Sequence, residues 1–191
     1  MTRHNDRTGS GARHADLAGL VVDACDDSQI AFEALARHWH PRLIAHGFRL
    51  TRERELAEEA VQLAWLDIAR GLRSLRDPHA FPAWAYRIVT RRCANLIRKR
   101  MGDRDLLAEL LAEPVNGIAP DDYVLGAGRE RLQHAIGLLP PGQRAALALH
   151  YYEEMTIAEV AVALAIPAGT VKTRLMHARN QLRTLLEGAD R

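Results

Sequence analysis

Cysteine, on which disulfide scaffolds and most redox or zinc sites depend, is scarce in this sequence. The 191 residues include only Cys25 and Cys93, which are far apart and fit no metal or redox-pair spacing. Such a pair is typical of a protein from a reducing compartment. A redox role for Cys93, beside two arginines, is the alternative to a buried structural role. Among nine histidines, His38 and His40 lack a third ligand at suitable spacing, so we expect no metal and no other cofactor.

Long apolar segments and catalytic motifs are also absent. The longest apolar run, Val160–Ile166, spans seven residues, too few to cross a bilayer, and the N-terminal segment has no apolar signal core. The sequence contains no glycine-rich phosphate loop and no nucleophile paired with a base. These absences predict a cytoplasmic protein that is not an enzyme, has no small-molecule substrate and does not insert into membranes.

Charge is unevenly distributed along the chain, although the formal net charge is only +2. Lysine and arginine concentrate in Arg87–Arg104 and Lys172–Arg183, whereas acidic residues gather in Asp105–Asp122. Two cationic segments in a nearly neutral chain favour contacts with nucleic-acid phosphates. For the first of them, a solvated face or a segment that docks on the acidic stretch is the alternative.

The segment Thr156–Arg183 predicts two helices separated by a tight turn. Thr156 followed three residues later by Glu159 is typical of a capping box at a helix start. Ala165 interrupts the apolar pattern of the first helix, and Pro167 suits the first turn of the second. The apolar faces of the two helices comprise Ile157, Val160, Ala161, Leu164, Val171, Leu175, Ala178 and Leu182.

The second helix of this segment has a polar and cationic outer face. No Asp or Glu occurs between Glu159 and Glu187. A short helix, a tight turn and a basic second helix describe a helix-turn-helix with its recognition helix. A helical hairpin with a basic solvated face is the alternative. The candidate DNA-binding residues are Thr170, Lys172, Thr173, Arg174, Met176, His177 and Arg179.

Apolar residues at helical spacing predict further helices in the first half of the chain. Asp26 or Asp27 is expected to cap a helix that Pro41 ends or kinks near Trp39. Thr51 is expected to start the next helix. The buried stripe of that helix is predicted to contain Leu56, Ala60, Leu63, Ala64 and Ile68.

Phe81–Arg100 predicts a long amphipathic helix with a strongly basic face. Arg87, Arg91 and Asn95 follow one another at intervals of four, which makes a continuous polar stripe. Cations interleaved with an aromatic ring and an amide attract phosphates and contact bases. The candidate nucleic-acid surface comprises Trp84, Arg87, Arg91, Asn95, Arg98 and Lys99.

Composition divides the chain into four parts. Residues 1–14 are polar and are interpreted as a disordered tail. Residues 15–101 form a first domain, residues 102–128 an acidic flexible linker that contains Pro and Gly, and residues 129–187 a second domain. We therefore predict an all-α fold of two small helical domains joined by a flexible linker.

Two stretches of the sequence resemble a known family. LPPGQR at Leu139–Arg144, followed by TIAEVA and GTVKTRLMHAR, is similar to the C-terminal promoter-reading domain (region 4) of bacterial sigma factors. Val61–Ile88 is similar to their N-terminal domain, region 2. The order and size of the two parts resemble the small extracytoplasmic-function (ECF) group of the sigma-70 family.

This resemblance implies a sigma factor, which binds core RNA polymerase and directs promoter-specific transcription initiation. The N-terminal domain is then expected to read and melt the minus-ten element, and the helix-turn-helix to read the minus-thirty-five element. An anti-sigma protein is a further expected partner. The polymerase-binding residues that the resemblance implies are Glu59, Gln62, Leu63, Leu66 and Asp67.

Three positions depart from the family pattern. Leu63 stands where the docking helix usually has an acidic residue, Arg91 where the promoter-reading helix commonly has Asn, and Ala165 where the turn usually has Gly. An ordinary helix-turn-helix regulator and a protein-binding helical adaptor are the alternatives. A repressor normally needs a dimer interface, for which this sequence has no spare helix, so the second basic surface favours the sigma factor.

Overall fold

The computed structural model describes residues 18–26, 28–101 and 127–187. Within these ranges the chain is helical and contains no strand, which confirms the predicted all-α fold. The predicted tail, Met1–His14, and residues 102–126 of the predicted linker lie outside the described residues. The last two residues of that linker instead belong to a helix that begins at Ala127.

The helices form a region 2-like first domain and a region 4-like second domain. The first contains a helical segment at residues 18–25, then α1 (Gln29–Thr51), α2 (Arg54–Gly71), the 3-10 turns Leu72–Ser74 and Pro78–Ala80, and α3 (Phe81–Met101). The second contains α4 (Ala127–Gly137), α5 (Pro141–Tyr151), α6 (Ile157–Leu164) and α7 (Ala168–Glu187).

The start of α1 differs from the prediction that Asp26 or Asp27 caps it. The capping residue is Ser28, whose extended backbone precedes the helix and whose hydroxyl accepts a 3.2 Å hydrogen bond from the Ala31 amide. All three residues are good caps by type. The sequence alone could not decide among them, because the cap is set by where the backbone turns helical.

Helix α1 continues through Pro41, so of the predicted end or kink near Trp39 the end does not occur. A proline inside a helix costs roughly 3 kcal/mol, but Trp39 and Leu43 on either side of it are buried in the core. Tertiary packing thus outweighs the local cost. Thr51 does not start α2, because it is the last residue of α1 and its hydroxyl lies 3.0 Å from the Gly47 carbonyl oxygen.

The core of the first domain is built around aromatic side chains. The ring of Trp39 packs edge-on against Phe81 and Tyr86, with centroids 5.8 and 6.1 Å apart. Gly47 lies where α1 crosses α2, and a Cβ there would come within 3.3 Å of the Ala57 Cβ. The predicted stripe of α2 is buried except for Leu63, which is only partly covered.

The second domain contains the predicted helix-turn-helix as α6 and α7. The capping box is present, because the Glu159 amide donates to the Thr156 hydroxyl and the Glu159 carboxylate accepts from the Thr156 amide. Ala165 ends α6 in the left-handed conformation, with φ 53°, at a cost of order 1 kcal/mol for a residue with a Cβ. Pro167 immediately precedes α7 rather than lying in its first turn, and its carbonyl accepts from the Val171 amide.

The two domains pack on each other, which the sequence did not predict. Helix α3 lies against α6, and α1 against α5. Across this interface the Arg52 guanidinium lies 3.2 Å from the Gly137 carbonyl oxygen, and that of Arg144 lies 3.2 Å from the Arg49 carbonyl oxygen. The surfaces predicted to read DNA therefore lie close together.

Candidate DNA and polymerase interfaces

Helix α7 presents most of the predicted recognition residues to solvent. Val171, Leu175 and Ala178 are buried in the second domain, as their spacing predicted. The opposite side is free to enter a groove, because nothing in the described part of the chain covers its exposed residues. These exposed residues are Lys172, Thr173, Met176, His177 and Arg179.

Thr170 and Arg174 lie apart from that exposed surface. Both are half-buried, and Arg174 lines a cavity that the second domain shares with the first. Burial lowers the pKa of the Arg174 guanidinium. In this arrangement Arg174 is therefore close to the first domain rather than part of the open recognition surface.

The shared cavity has a volume of about 720 Å³ and lies along α3. Trp84, which lines it, is half-buried, and a Cβ on neighbouring Gly71 would come within 3.1 Å of the indole ring. The glycine thus makes room for the ring. Five of the six candidate minus-ten residues line the cavity, namely Trp84, Arg87, Arg91, Asn95 and Arg98, whereas Lys99 is exposed outside it.

The helix-turn-helix supplies the other wall of the cavity through Leu164, the last residue of α6, and the turn residues Ala165 and Ile166. Apolar side chains make up much of the lining, and the charged groups are almost all cationic. Five arginines and one carboxylate line it: Arg70, Arg87, Arg91, Arg98 and Arg174, with Asp67. A cavity of this character suits a ligand with apolar planar groups and negative charge, which nucleotides combine.

The predicted polymerase-binding residues lie on α2. Glu59 and Gln62 are exposed, and Leu66 exposes 53% of its surface. Leu63 is partly buried. Asp67 differs from the others because its carboxylate is already bound by two arginines of α3.

Comparison with known proteins matches both halves of the chain to one family. The profile described as sigma-70 region 2 matches residues 35–102, and that described as sigma-70, region 4 matches residues 129–182. The ECF RNA polymerase sigma factor SigM of Mycobacterium tuberculosis is 31% identical over 180 residues, which cover 93% of this chain and 89% of SigM. The chain belongs to the ECF group of sigma-70 factors.

Other relatives of this sigma factor agree in sequence and fold. SigW of Bacillus subtilis, also an ECF RNA polymerase sigma factor, is 29% identical over 168 residues, or 83% of this chain and 90% of SigW. The fold matches CnrH, solved with the cytosolic domain of CnrY, at a TM-score of 0.60 and 22% identity over 90% of this chain and 97% of that one. It also matches the sigma factor RpoE of Bartonella quintana, solved with the anti-sigma factor NepR. That match has a TM-score of 0.61 and 23% sequence identity, and it covers 82% of this chain and 96% of RpoE.

Family membership decides between the functions that the sequence left open. Sigma factors are transcription initiation factors and not enzymes. The chain is therefore neither an ordinary helix-turn-helix regulator nor a helical adaptor that binds only protein.

Two arginines of this sigma factor were not among the predicted site residues. Arg70 lines the cavity from α2, and Arg92 binds Asp67. Arg92 follows the buried Ile88 by four residues, so helical spacing could have placed it on the inner side of α3. Its partner lies 25 positions away on another helix, and no local pattern reveals such a pairing.

Neither cysteine of the sigma factor is placed for thiolate chemistry. Burial raises the pKa of the Cys93 thiol to about 12, which favours the structural role over the redox alternative. The Cys25 thiol donates to the Leu72 carbonyl over 3.3 Å. Among the residues that the structure describes, no group of His, Cys, Asp and Glu could hold a metal ion. No helix in the same part of the chain is long and apolar enough to cross a membrane.

Proposed function

We propose that this sigma factor binds core RNA polymerase through α2, reads and melts the minus-ten element with α3, and reads the minus-thirty-five element with α7. The observation that carries the proposal is the surface along α3. Guanidinium groups and an amide form an exposed stripe there, and an indole ring and apolar side chains lie at its side. Phosphate attraction and base stacking can therefore act together on one strand.

Melting requires more than attraction to phosphate. Extruding a base from the duplex costs a few kcal/mol, and stacking on an aromatic side chain returns about 1–3 kcal/mol for each base. Trp84 offers such a ring, and Arg91 and Asn95 offer hydrogen-bond donors four residues apart on the same face. These groups favour an unpaired strand over a stacked duplex.

The exposed side of α7 supports the minus-thirty-five proposal. Lys172 and Thr173 lie near its N-terminal end, the part of a recognition helix that contacts base edges. Met176 and His177 follow one turn later and are also exposed. The long axis of this surface lets one helix contact several successive base pairs in the major groove.

Polymerase docking is proposed for the exposed face of α2 that carries Glu59, Gln62 and Leu66. Residues three and four apart share one helix face, and the exposed side chain of Leu66 adds apolar surface to it. The resemblance to the family's docking helix supports the same face. An anti-sigma protein is a further proposed partner, which the complex of the related RpoE with an anti-sigma factor supports.

Promoter binding in this proposal requires the two domains to move apart. Elements centred near minus ten and minus thirty-five lie roughly 25 base pairs, or about 80 Å, apart on B-DNA. Asn95 of α3 and Arg174 of α7 line the same cavity, so the two domains cannot contact both elements at once while they are packed on each other. This packed state is called the closed arrangement below. The closed arrangement is therefore proposed for the chain before it engages a promoter.

Reconstituted transcription tests this function. The full chain is added to purified core RNA polymerase with fragmented genomic DNA, and transcript 5′ ends are mapped by sequencing. The proposal expects discrete start sites, each preceded by the same pair of elements. Core polymerase alone is the control. Random starts with and without the chain would contradict the proposal.

A further inference from the structure

Asp67 joins the helix proposed to dock on polymerase to the helix proposed to read the minus-ten strand. Its carboxylate accepts two hydrogen bonds from the Arg92 guanidinium, 2.7 Å from Nε to Oδ2 and 2.5 Å from Nη2 to Oδ1. The Arg91 Nη2 lies 3.4 Å from the same Oδ2. Arg92 thus binds in the paired geometry that fixes a guanidinium most firmly, whereas Arg91 touches the carboxylate with one nitrogen.

The side chains of Asp67, Arg92 and Arg91 differ in how far they are exposed to solvent. The Asp67 side chain is 17% exposed and that of Arg92 29%, whereas that of Arg91 is 66% exposed. The hydrogen bond from Arg92 holds the pKa of the Asp67 carboxyl below its usual range, so the carboxylate is charged at neutral pH. Arg92 is therefore the anchored partner, and Arg91 is the presented one.

The position of Asp67 also argues against a direct polymerase contact. Both carboxylate oxygens already accept from guanidinium groups, and the residue lines the cavity with Arg91 rather than the open face with Leu66. A polymerase contact at this carboxylate would have to displace at least one arginine. The negative charge of Asp67 beside Arg91 also lowers the net positive charge that a nearby phosphate meets, which weakens the attraction of a phosphate to this position.

We propose that Asp67 is a positioning residue for minus-ten specificity, which holds Arg91 at the edge of the cavity and restrains it from binding phosphates indiscriminately. With Nη2 held, the Arg91 Nε and Nη1 remain to meet a base edge in a fixed orientation. The residue acts through Arg91 and does not itself contact DNA. This inference rests on the proposed reading of an unpaired minus-ten strand by α3.

The test compares Asp67→Asn with the wild type in holoenzyme assembled from core polymerase and the full chain. Binding is measured by fluorescence anisotropy to single-stranded minus-ten oligonucleotides, each substituted at one base, over a series of salt concentrations. Loss of the carboxylate charge frees Arg91 for phosphate. We expect the preference at one base position to fall by about 5–10-fold and the slope of log K against log salt to steepen by about 0.7.

Three further variants separate positioning from general damage. Asp67→Glu retains the charge and is expected to restore most of the base preference. Arg91→Ala removes the presented group, so adding Asp67→Asn to it should change neither preference nor slope further. Glu53→Gln is the matched control, because Glu53 also binds an α3 arginine, Arg100, but at an exposed site outside the cavity.

The outcomes are distinct. A fall in core-polymerase affinity for Asp67→Asn, without a change in base preference, would make Asp67 a docking contact and overturn the inference. Asp67→Asn could instead lower the affinity for every oligonucleotide equally, leave the salt slope unaltered and not be rescued by Asp67→Glu. That result would mean that Asp67 only stabilises the fold and would overturn the inference. If wild-type holoenzyme itself has no preference for the single strand, the proposed function fails before the variant is considered.

Discussion

The Thr90 hydroxyl of α3 lies 2.8 Å from the carbonyl oxygen of Ala163 in the last turn of α6. It also lies 3.0 Å from Nε2 of His46 on α1. The last carbonyls of a helix have no partner within it, and the Thr90 hydroxyl, which also lies 2.8 Å from the Tyr86 carbonyl oxygen of its own helix, is within hydrogen-bond distance of one that belongs to the helix-turn-helix. The contact thus links α3, the helix proposed to read the minus-ten element, to the helix-turn-helix of the other domain.

Replacing Thr90 by Val is expected to loosen the closed arrangement. The change retains the shape but leaves the Ala163 carbonyl and the His46 ring without this hydroxyl, at a cost of about 1–3 kcal/mol for an unsatisfied buried group. Small-angle scattering of the free chain should show a larger radius of gyration. Thr184→Val is the control, because the Thr184 hydroxyl bonds only within its own helix, to the Asn180 carbonyl. An unchanged radius for Thr90→Val would contradict the closing role of this contact.

His46 is expected to make the stability of the chain depend on pH. The residue is fully buried, and desolvation, followed by the charge of Arg49, lowers the pKa of its ring to about 3 from an ordinary 6.5. The Tyr86 ring packs against it with centroids 5.0 Å apart. The native ring thus stays neutral while the unfolded chain takes up a proton below pH 6.5.

The free energy of unfolding should therefore fall by about 1.4 kcal/mol for each unit by which the pH is lowered from 6.5 towards 3. Urea unfolding followed by circular dichroism at several pH values measures this slope. His46→Gln should lose that component, whereas His79→Gln, at an exposed position, should retain it. Identical slopes for wild type and His46→Gln would show that this histidine does not carry the effect.

Lys172→Ala is expected to weaken promoter binding through the minus-thirty-five element. If Lys172 reads a base edge, the loss should be about 1–3 kcal/mol and confined to matching sequences. If it binds phosphate, every sequence should weaken alike and the salt slope should drop by about one. Electrophoretic mobility shifts with holoenzyme over a salt series distinguish the two, and Lys172→Arg controls for charge. Wild-type binding by Lys172→Ala at every salt concentration would remove this residue from the interface.

Glu59→Lys is expected to reduce the affinity for core polymerase by reversing a charge on the proposed docking face. Glu33→Lys makes the same charge change at an exposed residue of another helix, α1, outside that face, and should bind core normally. Surface plasmon resonance with immobilised core polymerase measures both affinities, and circular dichroism checks folding. Equal binding by Glu59→Lys and wild type, with intact helix content, would place the docking face elsewhere.

Local signals in the sequence were enough to predict the helix-turn-helix. Thr156 and Glu159 act on each other within one turn, and the apolar spacing of α7 directly gives its buried face, so nothing distant alters either prediction. Ala165 has a positive φ, so the backbone of this turn takes the left-handed conformation that glycine adopts most readily. This explains why relatives usually have Gly at the position.

Predictions that depended on tertiary structure failed or could not be made. Pro41 did not end α1 because the buried Trp39 and Leu43 hold the helix together from both sides. Asp67 and Arg92 come from different helices, and Thr90 meets Ala163 across two domains. The local sequence around these residues indicates neither pair. Charge and spacing predicted the candidate site residues, whereas only the structure shows which of them are held by a partner and which are exposed.

One binding measurement decides whether α3 holds an unpaired minus-ten strand, as we propose. Fluorescence anisotropy compares holoenzyme binding to the non-template minus-ten strand, taken from the mapped start sites, with binding to the same sequence as duplex. We expect tighter binding to the single strand and loss of that preference when Arg91 and Asn95 are both changed to Ala. Equal affinity for single strand and duplex, unaffected by the double substitution, would leave only phosphate attraction and overturn the proposed role of α3.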